Sequence, residues 1–312
     1  MRFGVYLRPA VTYGAMLELA RFAEEEGFFG VFLNDHVEGL SGDREEPYLE
    51  AWTAMAGIGV ETRRIRVGHI TLFNSLRNPA YLAKSISTLD VMTGGRYETI
   101  IGAGWNEPEY DGYDLMEGGR GMPPAGKRVT RLKETVQILR GMFDNPIFSF
   151  EGRYWRLVEA VNVPQPVQKP MRVSVGARQP RMIRIAARYA DGINASGGIS
   201  NIARTMGILK PALEVAGKPI DKYLLSGFAP VTLAQNEGEY ESILRRIAER
   251  TSKSVDDVRA DVFSGTPEIL VGKYREVKDL GVDLMILIPR ASDLEGMKEG
   301  LARFRDEVAL RI

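Results

Sequence analysis

The chain has 312 residues, and its 41 Lys and Arg side chains balance 41 Asp and Glu, so the formal net charge is zero. This balance argues against a general nucleic-acid-binding protein, because no excess of positive charge attracts phosphates. Hydrophobic residues make up 44% of a chain without cysteine, which is a globular composition that excludes disulfides, thiolate metal sites and a cysteine nucleophile.

Membrane, secretion and zinc signals are weak. No apolar run reaches the roughly 18 residues of a membrane span, and the first ten residues lack the apolar core of a signal peptide. We therefore expect a cytoplasmic protein without a membrane partner. Its two histidines, His36 and His69, also argue against a histidine-rich zinc site, and we expect no metal.

Apolar β-rich segments alternate with helical patterns along the chain. Residues 3–7 form the first predicted strand, and the spacing of Met16, Leu19, Ala20 and Ala23 predicts a helix after it. The later predicted strands are 29–33, 65–72, 97–103, 172–175, 191–195, 224–233 and 283–288. The later predicted helices are 48–61, 79–92, 180–189, 200–216, stretches between 238 and 279, and 293–307.

Eight strands that are each followed by helix predict an α/β protein with a single (β/α)8 TIM barrel spanning residues 1–312. The alternative is a doubly wound open sheet. That fold usually carries a glycine-rich nucleotide loop after its first strand, whereas residues 8–14 here read Arg-Pro-Ala-Val-Thr-Tyr-Gly.

The segment 104–171 interrupts the repeat between strands four and five. It contains a Gly- and Pro-rich loop at 117–126, a helix with an apolar stripe from Val129 to Phe143, and a predicted hairpin around 148–157. Insertions after a barrel strand stand over the active-site face. We therefore expect 104–171 to cover the mouth of the barrel.

Reactive residues of such a barrel lie where its strands end. After strand two comes Asn34-Asp35-His36, in which a carboxylate and an imidazole could orient a ligand and move a proton near neutral pH. The structural alternative is an Asp-His pair bonded to the loop backbone. His69, within strand three, is interpreted either as a strand-end group or as a packed strand residue.

Strand four continues into Gly102-Ala103-Gly104-Trp105-Asn106. Glycines allow a flat ligand to approach the backbone, Trp105 offers a stacking face, and Asn106 offers an amide. Close packing at a strand end is the alternative explanation for the glycines.

Strand five is followed by Gly176-Ala177-Arg178-Gln179-Pro180-Arg181, which leads into a helix. Free amides at a helix N-terminus beside Arg178 and Arg181 form a suitable phosphate site. An ordinary helix start is the alternative.

In this order, the motifs resemble the bacterial luciferase-like superfamily, whose barrel oxidoreductases use FMN or coenzyme F420. The matching stretches run from about residue 3 to 305. They are Asn34–His36, 47–52, 62–68, 77–84, 89–96, 102–107, 164–170, 184–192 and 265–268.

The resemblance implies roles for individual residues. Asp35 and His36 are similar to the pair that faces the deazaflavin in F420-dependent members, and Asn106 to the amide that holds the cofactor. Gly176 and Ala177 match the backbone that meets the phosphate. A non-proline cis peptide behind the ring is expected at Ile70-Thr71, although His69 and Ile70 depart from the usual residues there.

The resemblance predicts an oxidoreductase that transfers hydride between coenzyme F420 and a small organic substrate. His36 and Asp35 are the predicted catalytic residues, and Trp105 is the predicted substrate contact. The predicted cofactor contacts are Asp35, Ile70, Thr71, Ala103, Asn106, Gly176, Ala177 and Arg181.

The main alternative is an FMN-dependent monooxygenase that uses reduced flavin and O2, and a non-catalytic flavin-binding relative is a further one. Trp105 stands where the glucose-6-phosphate branch of the superfamily carries a glutamate, so we do not expect a sugar-phosphate dehydrogenase. The resemblance also predicts a homodimer.

Overall fold

The computed structural model describes residues 1–8, 12–43, 45–115, 121–291 and 293–312. The strands are β1 (Arg2–Tyr6), β2 (Gly30–Leu33), β3 (Arg66–His69), β4 (Leu72–Phe73), β5 (Tyr97–Gly102), β6 (Ile147–Glu151), β7 (Arg156–Val161), β8 (Val173–Gly176), β9 (Gly192–Ser196), β10 (Leu224–Leu233), β11 (Phe263–Gly265) and β12 (Leu284–Pro289). The α-helices are α1 (Tyr13–Glu25), α2 (Ala51–Glu61), α3 (Pro79–Met92), α4 (Glu107–Gly112), α5 (Ala125–Asp144), α6 (Pro180–Tyr189), α7 (Ile199–Ala216), α8 (Glu237–Thr251), α9 (Val255–Asp261), α10 (Pro267–Asp279) and α11 (Leu294–Glu307). Short 3₁₀ turns lie at Ile220–Lys222 and Ala309–Arg311.

Eight parallel strands close into a barrel in the order β1, β2, β3, β5, β8, β9, β10 and β12, with β12 pairing back to β1. The prediction of a (β/α)8 barrel is confirmed, and the open sheet is excluded by this last pairing. Short strands such as β2 and β8 are buried almost throughout, because helices cover their outer faces and side chains fill the interior. This burial explains why the sequences of these strands are almost entirely apolar.

The interior is filled midway along the barrel axis. Phe32, Ile70, Ile100, Leu284 and Ile286 form one buried cluster there, and Tyr6, Phe29 and Phe228 pack against it. This layer separates the mouth, where the strands end, from the base, where they begin.

The segment 104–171 differs from the expected cover over the mouth. Helix α5 packs between α3 and α6, so it is the fourth helix of the barrel ring and buries its apolar stripe there. The hairpin β6–β7 lies against α5, since the Glu134 carboxylate accepts hydrogen bonds from the N–H groups of residues 153–155. The Gln168 side chain donates to the Tyr97 carbonyl at the base of the barrel.

Of the segment 104–171, only the described parts of 104–124 therefore lie beside the mouth. Residues 117–120 of the predicted loop lie outside the described residues. Two further features escaped the sequence analysis, namely the short helix α4 and the division of 238–279 into α8, α9, β11 and α10. In the described part of the chain, no helix combines the length and apolarity that crossing a membrane requires.

Candidate active site

A cavity of about 840 Å³ opens at the mouth of the barrel, and we call it the mouth cavity. All eight barrel strands contribute to it, because parallel strands end at the same face. Its lining residues are Tyr6, Asn34, His36, Leu40, Ile70, Thr71, Phe73, 102–105, 176–179, Met182, Asn194, Ser196, Phe228 and Ile288. The structure thus brings the predicted residues His36, Ile70, Thr71, Ala103, Trp105, Gly176 and Ala177 to one cavity.

His36 forms a dyad with a buried carboxylate. Its Nδ1 lies 2.8 Å from Oε2 of Glu109, and Oε1 of the same carboxylate accepts a hydrogen bond from the Val37 N–H. Glu109 is fully buried, and 12% of the His36 side chain is exposed toward the cavity. A carboxylate only accepts hydrogen bonds, so Nδ1 carries the proton and Nε2 remains for a molecule in the cavity.

The dyad resembles the carboxylate–histidine part of acyl-transfer triads in its roles. The carboxylate fixes the ring and its tautomer, and it stabilises the imidazolium that forms when Nε2 takes a proton. The indole of Trp105 approaches the ring edge-on at 5.6 Å between centroids. Trp105 is 62% exposed, so it stands at the rim of the cavity where a substrate would enter.

Asp35 does not line the mouth cavity, which differs from its expected catalytic and cofactor-binding roles. Its Oδ2 accepts hydrogen bonds from the Phe73 N–H at 2.9 Å and from Arg77 at 2.5 Å. The side chain is 1% exposed. Asp35 therefore holds strand β4 behind the cavity wall.

Arg77 forms an ion pair with Asp35 outside the cavity. Its guanidinium binds both oxygens of Asp35 and also Oε1 of Glu50, which caps helix α2. Burial alone would lower the pKa of Arg77, but the adjacent charges of Asp35 and Glu50 outweigh it and raise this pKa. Arg77, which lies before α3, thus ties together the two ends of the connection between β2 and α2.

Asn34 presents an amide to the cavity in a fixed orientation. Its Oδ1 accepts hydrogen bonds from the hydroxyls of Tyr6 at 3.0 Å and Tyr48 at 2.7 Å. Burial raises the pKa of Tyr6 and raises that of Tyr48 to about 12, so both hydroxyls stay protonated donors. The amide nitrogen of Asn34 is left to donate to a bound molecule.

The peptide bond between Ile70 and Thr71 is cis, at the position that the resemblance predicted. The side chain of Thr71 also explains why positions 102 and 176 are glycine. A Cβ at Gly176 would lie 2.6 Å from Cγ2 of Thr71, and a Cβ at Gly102 would meet its hydroxyl. Close packing against the protein's own side chains, rather than ligand approach, thus requires these glycines.

The loop before α6 offers donors to an anion. The N-cap residue Gln179 makes no side-chain capping bond, so the first N–H groups of this ten-residue helix have no cap from that side chain. Arg178 is exposed and lines the cavity beside Gly176 and Ala177. These groups converge on one end of the mouth cavity.

Two predicted cofactor contacts lie elsewhere. Arg181 donates to the Gly126 carbonyl and to the Thr130 hydroxyl, which ties α6 to α5. Asn106 donates to Glu38 and does not line the cavity. Gly126, Thr130 and Glu38 are all distant in sequence from the residues they bind, so these contacts could not be predicted from local patterns.

The sequence analysis missed Glu109, which binds His36 but does not itself line the mouth cavity. It follows strand β5 within Asn106-Glu-Pro-Glu109, yet nothing in that run distinguishes the buried carboxylate from exposed Glu107. The sequence analysis also missed other residues that line the cavity, among them Asn194 and Ser196 on β9 and Phe228 on β10. Across the described residues, no cluster of three or more His, Asp or Glu side chains is arranged to hold a metal ion.

His69 is a packed core residue. It is fully buried, its ring stacks on Trp52 at 5.3 Å, and its Nδ1 lies 2.7 Å from the Tyr97 hydroxyl. Burial lowers its pKa from 6.5 to about 4. The unfolded chain therefore binds more protons between pH 6.5 and pH 4, and stability falls as the pH falls through this window.

We expect the unfolding free energy to lose about 2 kcal/mol between pH 7 and pH 5 through His69 alone. Urea unfolding at both pH values measures this loss, and His69→Phe should remove that part of the pH dependence. The same pH dependence in both proteins would show that His69 does not titrate on unfolding as inferred.

Comparisons with known proteins agree with this architecture. Residues 1–264 match the model of the luciferase-like monooxygenase family. The chain is 29% identical over 229 residues to an F420-dependent glucose-6-phosphate dehydrogenase of Nakamurella multipartita, covering 71% of this chain and 65% of that protein. It is also 29% identical over 223 residues to the pyrimidine monooxygenase RutA of Cronobacter sakazakii, covering 69% and 63%.

The chain therefore spans about two thirds or less of the length of these curated relatives. Among solved structures, an F420-dependent secondary alcohol dehydrogenase in complex with an F420-acetone adduct superposes with a TM-score of 0.83. That match covers 100% of this chain and 99% of the other at 18% identity, so the likeness concerns the fold.

Proposed function

Since the chain belongs to the luciferase-like monooxygenase family, we propose that it transfers hydride between coenzyme F420 and a small organic substrate held in the mouth cavity. The observation that carries this proposal is the His36–Glu109 dyad, because oxidation of an alcohol removes a hydride from carbon and a proton from oxygen. The dyad supplies the proton acceptor.

The residues of the mouth cavity suit such a cofactor. Its volume of about 840 Å³ lies within the range of roughly 300–1,000 Å³ that is usual for ligand sites. Ile70, Thr71 and Ala103 would contact the flat ring system. The Arg178 guanidinium would hold the phosphate beside Gly176 and Ala177, with the helix N-terminus of α6 behind them. The Ala177 N–H donates to the Asn194 carbonyl, so this residue would contribute contact and not a hydrogen bond. When bound, F420 supplies the carbon centre that accepts or gives the hydride.

The chain's own residues would manage the proton and the orientation. His36 Nε2 accepts the proton of a substrate hydroxyl during oxidation, or returns it to a carbonyl oxygen in the reverse direction. Glu109 stabilises the imidazolium between these steps. Asn34 would orient a polar group through its free amide nitrogen, and Trp105 would shape the entrance.

We further propose that the substrate carries no phosphate. Among the described lining residues, Arg178 is the one permanent cation, and the cofactor phosphate would occupy it. This agrees with the departure at Trp105 from the sugar-phosphate branch.

The competing function is an FMN-dependent monooxygenase, and similarity to a pyrimidine monooxygenase supports it. Fluorescence titrations of the purified chain with F420 and with FMN distinguish the two. We expect F420 to bind at least tenfold more tightly than FMN. Tighter binding of FMN would contradict the cofactor assignment.

Charge reversal of Arg178 tests the phosphate end of the site. Arg178→Glu should lower F420 affinity at least tenfold, or about 1.4 kcal/mol, because a carboxylate would then face the phosphate. The control is Arg184→Glu, an exposed arginine on α6 that does not line the cavity. Equal F420 affinities of the two variants would place the phosphate elsewhere.

A further inference from the structure

The base of the barrel holds a second cavity, of about 370 Å³, which we call the base cavity. It is formed where the barrel strands begin, at the end opposite the mouth cavity. Its lining residues are Arg2, Phe29, Phe32, Arg66, Tyr97, Glu98, Ile100, 168–170, Arg172, Ser174, 224–226 and Leu284. Among the residues that the structure describes, none lines both cavities.

The base cavity is strongly cationic in a chain of zero net charge. Four basic side chains and one acid line it, which are Arg2, Arg66, Lys169, Arg172 and Glu98. Arg66 is already engaged, because it pairs with Glu98 and donates to Gln168. Lys169 is directed to the carbonyl of Phe143.

Two guanidinium groups remain for a ligand. Arg2 lies over the ring of Phe29 at 4.3 Å, and Arg172 is exposed beside the start of β8. Among the residues that the structure describes, neither side chain forms an ion pair or a side-chain hydrogen bond. Both line the same cavity as Glu98. Burial raises the pKa of the Glu98 carboxyl, and the charges of Arg66, Arg2 and Arg172 oppose this effect.

The inner wall of the base cavity is apolar with two hydroxyls. Phe32, Ile100 and Leu284 belong to the layer that fills the barrel. Ser174 and Ser226 also line the cavity, and the Ser226 hydroxyl already accepts from the Asn194 amide and donates to the Ile193 carbonyl. A molecule with an apolar body and a single anionic group would match this lining. Guanidinium groups bind carboxylate and phosphate oxygens in paired hydrogen bonds.

We propose that the base cavity binds a small organic oxyanion, held by Arg2 and Arg172, with its apolar part against the inner wall. The site is separate from the mouth cavity and does not depend on the cofactor.

Calorimetric titration of the full chain with benzoate and with phenyl phosphate tests this site. The titrations use the Arg178→Glu background, so that the phosphate end of the mouth cavity does not contribute. We expect saturable binding of at least one probe, and the probe that binds more tightly identifies carboxylate or phosphate as the preferred group.

Replacing Arg2 and Arg172 together by Gln in the same background should weaken that binding at least tenfold. The matched control is Arg184→Gln, which removes an exposed arginine that does not line the base cavity and should leave the affinity unchanged. Melting temperatures confirm that each variant is folded. Absence of saturable binding, or equal affinity after the double replacement, would overturn the proposal.

Discussion

Replacing His36 by Asn should lower turnover by about 10²–10⁴-fold, the usual contribution of a positioned acid–base group. Asparagine keeps a hydrogen-bonding group beside Glu109 but cannot accept a proton at neutral pH. Cofactor affinity should change little, since the phosphate end of the mouth cavity lies on a different loop. Steady-state rates and F420 titrations on the same preparation measure both quantities.

The melting temperature of His36→Asn provides the control for folding. A histidine that merely completes the turn after β2 would lower thermal stability and leave turnover nearly normal in the folded fraction. Turnover within about threefold of the wild-type value would contradict the catalytic assignment.

The second large effect is expected from Glu109→Gln. The Glu109 carboxylate accepts the Val37 N–H and the His36 Nδ1–H at once, with 2.8 Å to each nitrogen. The glutamine amide has only one oxygen, so it cannot accept both hydrogen bonds. If its NH2 group faces Val37, two donors oppose each other. If its NH2 group faces His36, Nδ1 must accept and the imidazole proton moves to Nε2. In a serine protease, replacing the triad aspartate by asparagine puts the histidine in the wrong tautomer and lowers kcat by about 10⁴-fold.

We therefore expect Glu109→Gln to reduce turnover by about 10²-fold or more with F420 affinity retained. Glu107→Gln is the matched control, because Glu107 is exposed on the same short helix. Equal rates for the two variants would show that Glu109 has no part in positioning His36.

The sequence predicted the eight barrel strands well because each is a short apolar run between clear helix signals. Helix α3 begins at Pro79 and ends at Met92 as expected, since Asn78 caps it and Pro79 occupies its first turn. The position of the segment 104–171 relative to the barrel was predicted less accurately. Its apolar stripe showed that α5 must be buried, but not that α3 and α6 leave a space for it in the ring.

The site was predicted in part for a related reason. His36 was found because it follows a strand end, which is a local signal. Its partner Glu109 lies 73 residues further along the chain. Asp35 is likewise bound by Arg77, which is 42 residues away from Asp35. Such long-range pairings decide which polar side chain faces the cavity and which is held behind its wall.

The glycines illustrate the same limit. Gly102 and Gly176 were singled out as positions where a ligand could approach, yet a Cβ at either glycine would meet Thr71, which lies between β3 and β4. A flat ligand and a threonine side chain impose the same need for a missing Cβ. The barrel must be assembled before the two explanations can be separated.

The most direct test of the central claim is the oxidation of reduced F420 by the purified chain with a panel of small carbonyl compounds, without oxygen. We expect turnover with at least one acceptor, one alcohol formed per cofactor oxidised, and loss of that turnover in His36→Asn. A chain that oxidises no reduced F420 under these conditions, and that consumes oxygen with reduced FMN in a separate aerobic assay, would contradict the proposed function.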